Sequence, residues 1–472
     1  MYLSLMVMFP LLGCSPSSEP RGPAGLADPP TETGDPGGNG DGPDTDGGDT
    51  GADDTGAGDT DAEPPVQLSV VFEADLDRTA ENPLRGFYTN YAWGEPVSPF
   101  PDSLEFAYIP LSELMSGPSE FTFGTGLEPR LLAAEARGHQ LILRPYIDYP
   151  AHPSGLPDFL ADTVAVQAYA DHGGGLSPDY SDPALREAML AFIDALGAAY
   201  DGDPRLALIQ VGLLGFWGEW HTWPHTEWFP ESEFQAAVLQ AYVAAFEETL
   251  LQVRYPVAGS PDLRIGFHDD SFAYSTIGDT TWFFHPQLEA AGATERWRTV
   301  PIGGEVRPEL QWWIFEDGYT TDDPNRQDFD ACVDATHASM LLNFAAFGGG
   351  FETAAEQARG EAAALSLGYS LRLDQVDVAD GLLAARIENQ GVAPFYYPLR
   401  LRVTDAEGAM AEATMPPLVT DDGPTDIMVD VTGLRRPTDE APWTLGLHSD
   451  HVLPSQTIRL ASAPGTDLVR VE

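Results

Sequence analysis

Four carboxylates in this sequence stand where apolar runs give out: Glu219, Glu305 and the adjacent Asp269 and Asp270. Glu219 closes the stretch L-A-L-I-Q-V-G-L-L-G-F-W-G-E-W-H-T-W-P from Leu206 to Pro224, among Trp217, Trp220 and Trp223. Burial raises the pKa of a carboxyl group, which is how a general acid is kept protonated near neutral pH. A second carboxylate across from it completes the machinery that hydrolyses a glycosidic bond. That geometry needs about 5–5.5 Å between the pair for retention and about 6.5–9.5 Å for inversion. The reading assigns Glu219 as acid/base and Glu305 as the second carboxylate, with Asp269 in reserve. The competing possibility is structural: Glu219 tied to an arginine, or Glu305 to Arg307 or Arg85.

Residues at the same level supply candidates for holding substrate. Arg85 and Arg144 lie in apolar runs and are followed by aromatics, so either can fork onto a carboxylate. Tyr88, His221, His268 and Asp270 offer polar contacts, and Trp217, Trp220 and Trp312 offer stacking faces. No cofactor is expected. His221 and His225 are four residues apart, but Pro224 between them argues against one helix presenting both to a metal, and no H-E-x-x-H occurs. All 23 basic residues are Arg. Without lysine, Schiff-base, pyridoxal-phosphate and Walker-type phosphate chemistry are excluded. G-x-S-x-G is also absent, and no G-x-G-x-x-G follows a strand.

The elements that would position these residues alternate. Strands are expected at Leu84–Asn90, Leu104–Ile109, Leu141–Tyr146, Leu206–Val211, Arg264–His268, Val300–Glu305 and Met340–Phe344. Helices are expected at Leu127–Arg137, Asp182–Tyr200, Glu231–Val253 and Phe351–Leu365. This grammar over residues 66–370 predicts a (β/α)8 TIM barrel, one strand short of eight, with active-site residues at the C-terminal strand ends. By this count Glu219 follows the fourth strand and Glu305 ends the sixth or seventh. Residues 371–472 lose the helical period and show short alternating runs, the pattern of an antiparallel β-sandwich.

The first 14 residues form an apolar segment too short to span a bilayer, ending in Leu11-Leu12-Gly13-Cys14, a lipobox-like signal in which Cys14 would be lipidated. Ser15 then points to the outer membrane of a diderm bacterium. Residues 15–65 are Gly, Asp, Thr and Pro with 13 acids against one Arg, too polar to fold, and read as an acidic stalk. The whole chain carries a net charge of −51, of which −39 falls outside that stalk. Such a charge repels nucleic acid and anionic lipid, so membrane contact is expected only through the anchor. The expected partner is a carbohydrate and the expected state a monomer. A non-catalytic glycan-binding lipoprotein on the same scaffold is the alternative.

Four ordered motifs resemble a family of bacterial secreted proteins carrying the paired domains of unknown function 4874 and 4832. They are Asn82-Pro83-Leu84-Arg85-Gly86-Phe87-Tyr88, Gly215-Phe216-Trp217-Gly218-Glu219-Trp220-His221, Pro301-Ile302-Gly303-Gly304-Glu305 and Asn389-Gln390-Gly391-Val392-Ala393-Pro394-Phe395-Tyr396. The resemblance implies a glycoside-hydrolase-like barrel with an appended β-domain, and leaves the reaction open. In the large clan of barrel glycosidases the acid/base commonly follows an Asn; here Gly218 precedes Glu219.

Overall fold

The computed structural model describes residues 67–93, 96–97, 99–257, 259–323, 325–463 and 469–471. Cys14 and the acidic stalk lie outside the described residues. The chain is mixed α/β and centres on an eight-stranded parallel barrel. Its strands are Gly86–Tyr88, Leu104–Pro110, Gln140–Tyr146, Leu206–Gln210, Leu251–Val253, Gly266–Phe272, Ile302–Val306 and Met340–Leu342. From the second strand onward each pairs with the next, and the eighth pairs with the first. Between the first and second strands closure rests on a single bridge, Thr89 to Glu105, with Phe106 N donating to Thr89 O at 2.9 Å. Every residue of the third, fourth and fifth strands is buried, as unbroken apolar runs in a parallel sheet must be.

The fifth strand is the one missed in the sequence, where Leu251–Val253 read as the end of a long helix. The helix in fact spans Ser232–Ala245. Neither Gly nor Pro marks its end. Instead the Asp201 carboxylate, some 46 residues earlier, accepts from the backbone N–H groups of Glu247, Glu248 and Thr249 and turns the chain. Helix starts were better signalled. Asp182 caps Pro183–Tyr200 by accepting from Ala184 and Leu185 N, and Thr353 with Glu356 forms a capping box on Ala354–Ser366.

Beyond Leu371 two four-stranded sheets pack together. One contains Leu371–Ala379, Leu382–Asn389 and Thr425–Asp430; the other contains Arg400–Thr404, Met410–Thr414, Trp443–His448 and Val469–Val471. Two details depart from the expectation. Leu68–Val71, expected in the barrel, is the edge strand of the first sheet, and Val469–Val471 pairs parallel to its neighbour. Met410–Thr414 was not foreseen, and Gln456–Leu460 contributes only a bridge at Ile458.

This β-domain closes the barrel at the N-terminal ends of its strands. Tyr397 OH donates to Ala207 O at 2.8 Å and accepts from Leu250 N at 3.1 Å. Gln456 Nε2 reaches Ser103 O and Gly138 O, and Asn82 exchanges two hydrogen bonds with the Arg459 backbone. One apolar cluster therefore runs from Ile142 and Leu208 in the barrel to Leu401 and Trp443 in the sandwich.

Arg85 belongs to this closed end, which corrects its expected place beside the acids. Its guanidinium donates to Leu367 O (2.9 Å), Leu365 O (2.5 Å) and Thr79 Oγ1 (2.9 Å), sealing the carbonyl end of the last barrel helix. Nearby, His139 is held between Asp102 (3.3 Å) and Glu105 (2.9 Å), while Arg137 forks onto Glu105 at 2.6 and 2.8 Å. Burial would lower the imidazole pKa, but the two carboxylates outweigh it and raise it to about 9. Because the folded value lies above the unfolded one, this clamp stabilises fully below about pH 6.5 and is lost as pH rises through 9. His139→Gln is therefore expected to lower Tm clearly at pH 6 and by much less at pH 9.5; an equal loss at both values would show that the charge contributes nothing.

Candidate active site

Strand alternation sends one set of side chains from the third to the seventh strand into the barrel interior. At its centre, Asp270 lies 2.9 Å from Arg144 Nη2, 3.2 Å from Arg254 Nη1 and 2.9 Å from His268 Nδ1. Arg144 also donates to Gln210 Oε1 through Nε (2.8 Å) and Nη2 (2.5 Å), and to Tyr108 OH at 3.0 Å. Asp270, Arg144 and His268 each expose 2% or less of the side chain. Burial alone would raise the Asp270 pKa, yet Arg144, His268 and Arg254 together hold it well below the carboxylate range. Burial lowers His268 to about 4, so its ring is neutral at pH 7. These groups are too deep to touch a ligand, which corrects their expected role in substrate binding.

Glu219 reaches this cluster from the loop after the fourth strand. Its carboxylate stands 3.4 Å from Arg144 Nη1, 4.0 Å from Arg254 Nε and 3.6 Å from His221 Nε2, with 13% of the side chain exposed. The loop is pinned at both ends. Leu213 N donates to Pro145 O, Trp217 N to Asp148 O, and Gly215 N to Tyr180 OH. Leu213, Trp217 and Trp220 all take positive φ (70°, 54° and 60°), a concentration of backbone strain that sites of chemistry collect. At Gly215 (φ 79°) a Cβ would sit 2.4 Å from His221 O, so only glycine fits.

Glu305 enters from the seventh strand, which the structure fixes as its position once the fifth strand is counted. Gln311 Nε2 donates to its Oε1 at 3.2 Å, and no cation stands within ion-pair distance among the described residues. Burial, then the charges of Asp270 and Glu219, push its carboxyl well above the usual range, against the opposing pull of Arg144 and Arg254. Part of both glutamates nevertheless remains accessible. Gly304 before it has φ 139°, and a Cβ there would lie 2.0 Å from Asp269 O. That glycine lets two neighbouring strands approach closely.

Asp269 lies on the opposite face of its strand. It accepts from Thr276 Oγ1 (2.7 Å) and Ser271 N (2.9 Å), so it does not serve as the reserve carboxylate. Tyr88 is buried and donates to Gly304 O at 2.9 Å, and Trp220 is buried with Nε1 on Val211 O at 2.6 Å; both are walls, not binding faces. Trp217 and His221 remain half-buried beside Glu219, and Trp312 lies 45% exposed next to Gln311. Sequence reading missed Arg254, Gln210, Tyr108, Tyr149 and Gln311. The signal for Arg254 was present: L-Q-V-R-Y repeats the apolar-Arg-aromatic grammar of L-I-L-R-P-Y. It also missed Asp148, whose carbonyl holds the Glu219 loop and whose carboxyl, raised to about 6 by burial, accepts from Tyr169 OH at 2.5 Å.

Tyr108, Tyr146, Tyr149 and His152 line one flank of a cleft of about 510 Å³, and Tyr108 and Tyr149 both feel the charges of Glu219 and Glu305. A larger hollow of about 630 Å³, lined by Phe315, Asp330 and Arg359, touches none of these groups, so volume does not locate the chemistry. Asp270→Asn is expected to destabilise the fold by about 3–5 kcal/mol, because it leaves two buried guanidiniums short of charge. Urea unfolding would measure it, and a loss below about 1 kcal/mol would contradict the network as drawn.

No known family model matches the chain, and no curated protein matches it. Among solved structures the chain is similar to endo-glycoceramidase II from Rhodococcus sp., a lactosyl-enzyme intermediate. That match has 12% identity, covers 76% of this chain and 99% of that one, and has a TM-score of 0.37. It is also similar to a family 39 glycoside hydrolase from Bacteroides cellulosilyticus WH2 (10%, 75% and 82%, TM-score 0.36). A third similar structure is an exo-beta-1,4-mannosidase from Opitutaceae bacterium strain TAV5 (13%, 55% and 51%, TM-score 0.33).

Proposed function

We propose that the bowl at the C-terminal strand ends, where Glu219 and Glu305 stand, hydrolyses a glycosidic bond, with Glu305 as proton donor and Glu219 as the second carboxylate. The observation that supports this is the opposed surroundings of the two acids. Glu219 stands among two guanidiniums and an imidazole, whereas Glu305 accepts from an amide, pairs with no cation among the described residues and feels the negative charges of Asp270 and Glu219. Glu305 gives its proton to the leaving oxygen as the bond to the anomeric carbon breaks. The Glu219 carboxylate faces the positive charge that develops on the sugar ring. Water then adds to the anomeric carbon and returns a proton to Glu305. This assignment reverses the roles drawn from the sequence, which rested on Glu219's place among tryptophans and on strand position.

Leaving-group dependence separates the roles. With a sugar or alkyl leaving group, Glu305→Gln is expected to slow turnover about 10²–10⁴-fold. With a dinitrophenyl leaving group, which departs without a proton, the same variant keeps most of its kcat/KM, which reads bond cleavage rather than the water step, while Glu219→Gln loses kcat/KM on both. The reverse pattern would restore Glu219 as the acid. Wild-type protein that binds glycans but cleaves none would leave a glycan-binding protein in place of an enzyme.

The lipobox-like Leu11–Cys14 supports a further part of the reading, that the chain is tethered to an outer membrane by a lipid on Cys14. Palmitate labelling in a diderm host should mark the wild type and not Cys14→Ser; equal labelling would sink the assignment.

A further inference from the structure

We propose that Trp217 and Trp223 form a stacking wall that carries further pyranose units of an uncharged glycan chain outward from Glu219. This rests on the carbohydrate reading of the bowl and names the kind of substrate it takes: a chain, not a single sugar.

Trp223 is 57% exposed, although its polar neighbours could have shielded it. Its backbone is nevertheless tied down. His172 Nε2 contacts Trp223 O at 3.0 Å, Trp223 N meets His221 Nδ1 at 3.3 Å, and Thr222 Oγ1 donates to His225 O at 2.7 Å. His225 in turn stacks on Trp228 at 3.8 Å and 8°, and pairs with Asp171 at 2.8 Å. A tryptophan whose backbone is already held loses less conformational entropy when a ligand lies on it.

The wall is continuous with Glu219. His221 stands 3.6 Å from Glu219, its ring lies 5.9 Å from that of Trp217, and the His172 ring lies 5.1 Å from Trp217 and 6.0 Å from Trp223. Aromatic faces suit the apolar faces of sugar rings. The charge of the ligand follows from the surroundings. Residues 216–230 contain no Arg, Asp171 and Glu227 are exposed beside the wall, and the chain carries −51 overall. Anionic glycans and nucleic acids, whose bases also stack, are repelled.

The test uses the full chain carrying Glu219→Gln, so that ligand survives. Calorimetric titration with cello-, manno- and xylo-oligosaccharides of two to six sugars is compared with the same titration after adding Trp223→Ala or Trp223→Phe. In at least one series, affinity is expected to rise tenfold or more from two sugars to six. Trp223→Ala should cut that gain to twofold or less, and Trp223→Phe should restore most of it. A gain that survives Trp223→Ala, or no gain with length in any series, overturns the proposal. Turnover of short dinitrophenyl glycosides by the wild type reports on hydrolysis separately. Turnover without a length gain sinks the wall alone, and a Trp223-dependent gain without turnover sinks hydrolysis alone.

Discussion

Asp270 sits inside the barrel with 2% of its side chain exposed, and that placement is tolerable only because two guanidiniums and an imidazole surround it. A buried carboxylate without such partners would take up a proton or unfold its surroundings. Its partners are not idle once paired. Arg144, held by Asp270 and Gln210, reaches on to Tyr108 and Glu219, and Arg254 stands near Glu219 from the next strand. The same negative charge pushes the Glu305 carboxyl upward. One buried anion thus fixes the cations that stand beside one glutamate, and helps raise the pKa of the other.

The two ends of the barrel divide the work. At the N-terminal strand ends the β-domain supplies Tyr397, Gln456 and the Asn82–Arg459 exchange, and Arg85 and the His139 clamp stabilise that rim. At the C-terminal ends the strained loop from Leu213 to His221 carries Glu219 on hydrogen bonds to Pro145 and Asp148. Local strain at one end is offset by a large shared core at the other.

The barrel was legible because parallel strands buried on both faces leave unbroken apolar runs, and seven of the eight stood out. The fifth, Leu251–Val253, is three residues long and its boundary is set by Asp201, far away in sequence, so no local signal announces it. Glu219 and Glu305 were legible as acids after apolar runs with glycines. The proton roles proposed for them were not, because that proposal depends on Asp270, Arg144 and Arg254 converging from three strands. Arg85, His268, Asp270, Tyr88 and Trp220 were chosen for chemistry and proved to be framework. A strand position alone does not tell a side chain that faces a ligand from one that faces its own barrel.

The central claim is that Glu305 is held protonated by burial and by the charge of its neighbours, Glu219 among them. Infrared difference spectra of protein labelled with carbon-13 glutamate, taken across pH, read this directly without any substrate. The account predicts a protonated carboxyl band at pH 7 that vanishes in Glu305→Gln. It also predicts that Glu219→Gln, by removing a neighbouring negative charge, lowers the pH at which that band titrates. A Glu305 that ionises with ordinary carboxylates near pH 4 to 5, indifferent to Glu219→Gln, would contradict it.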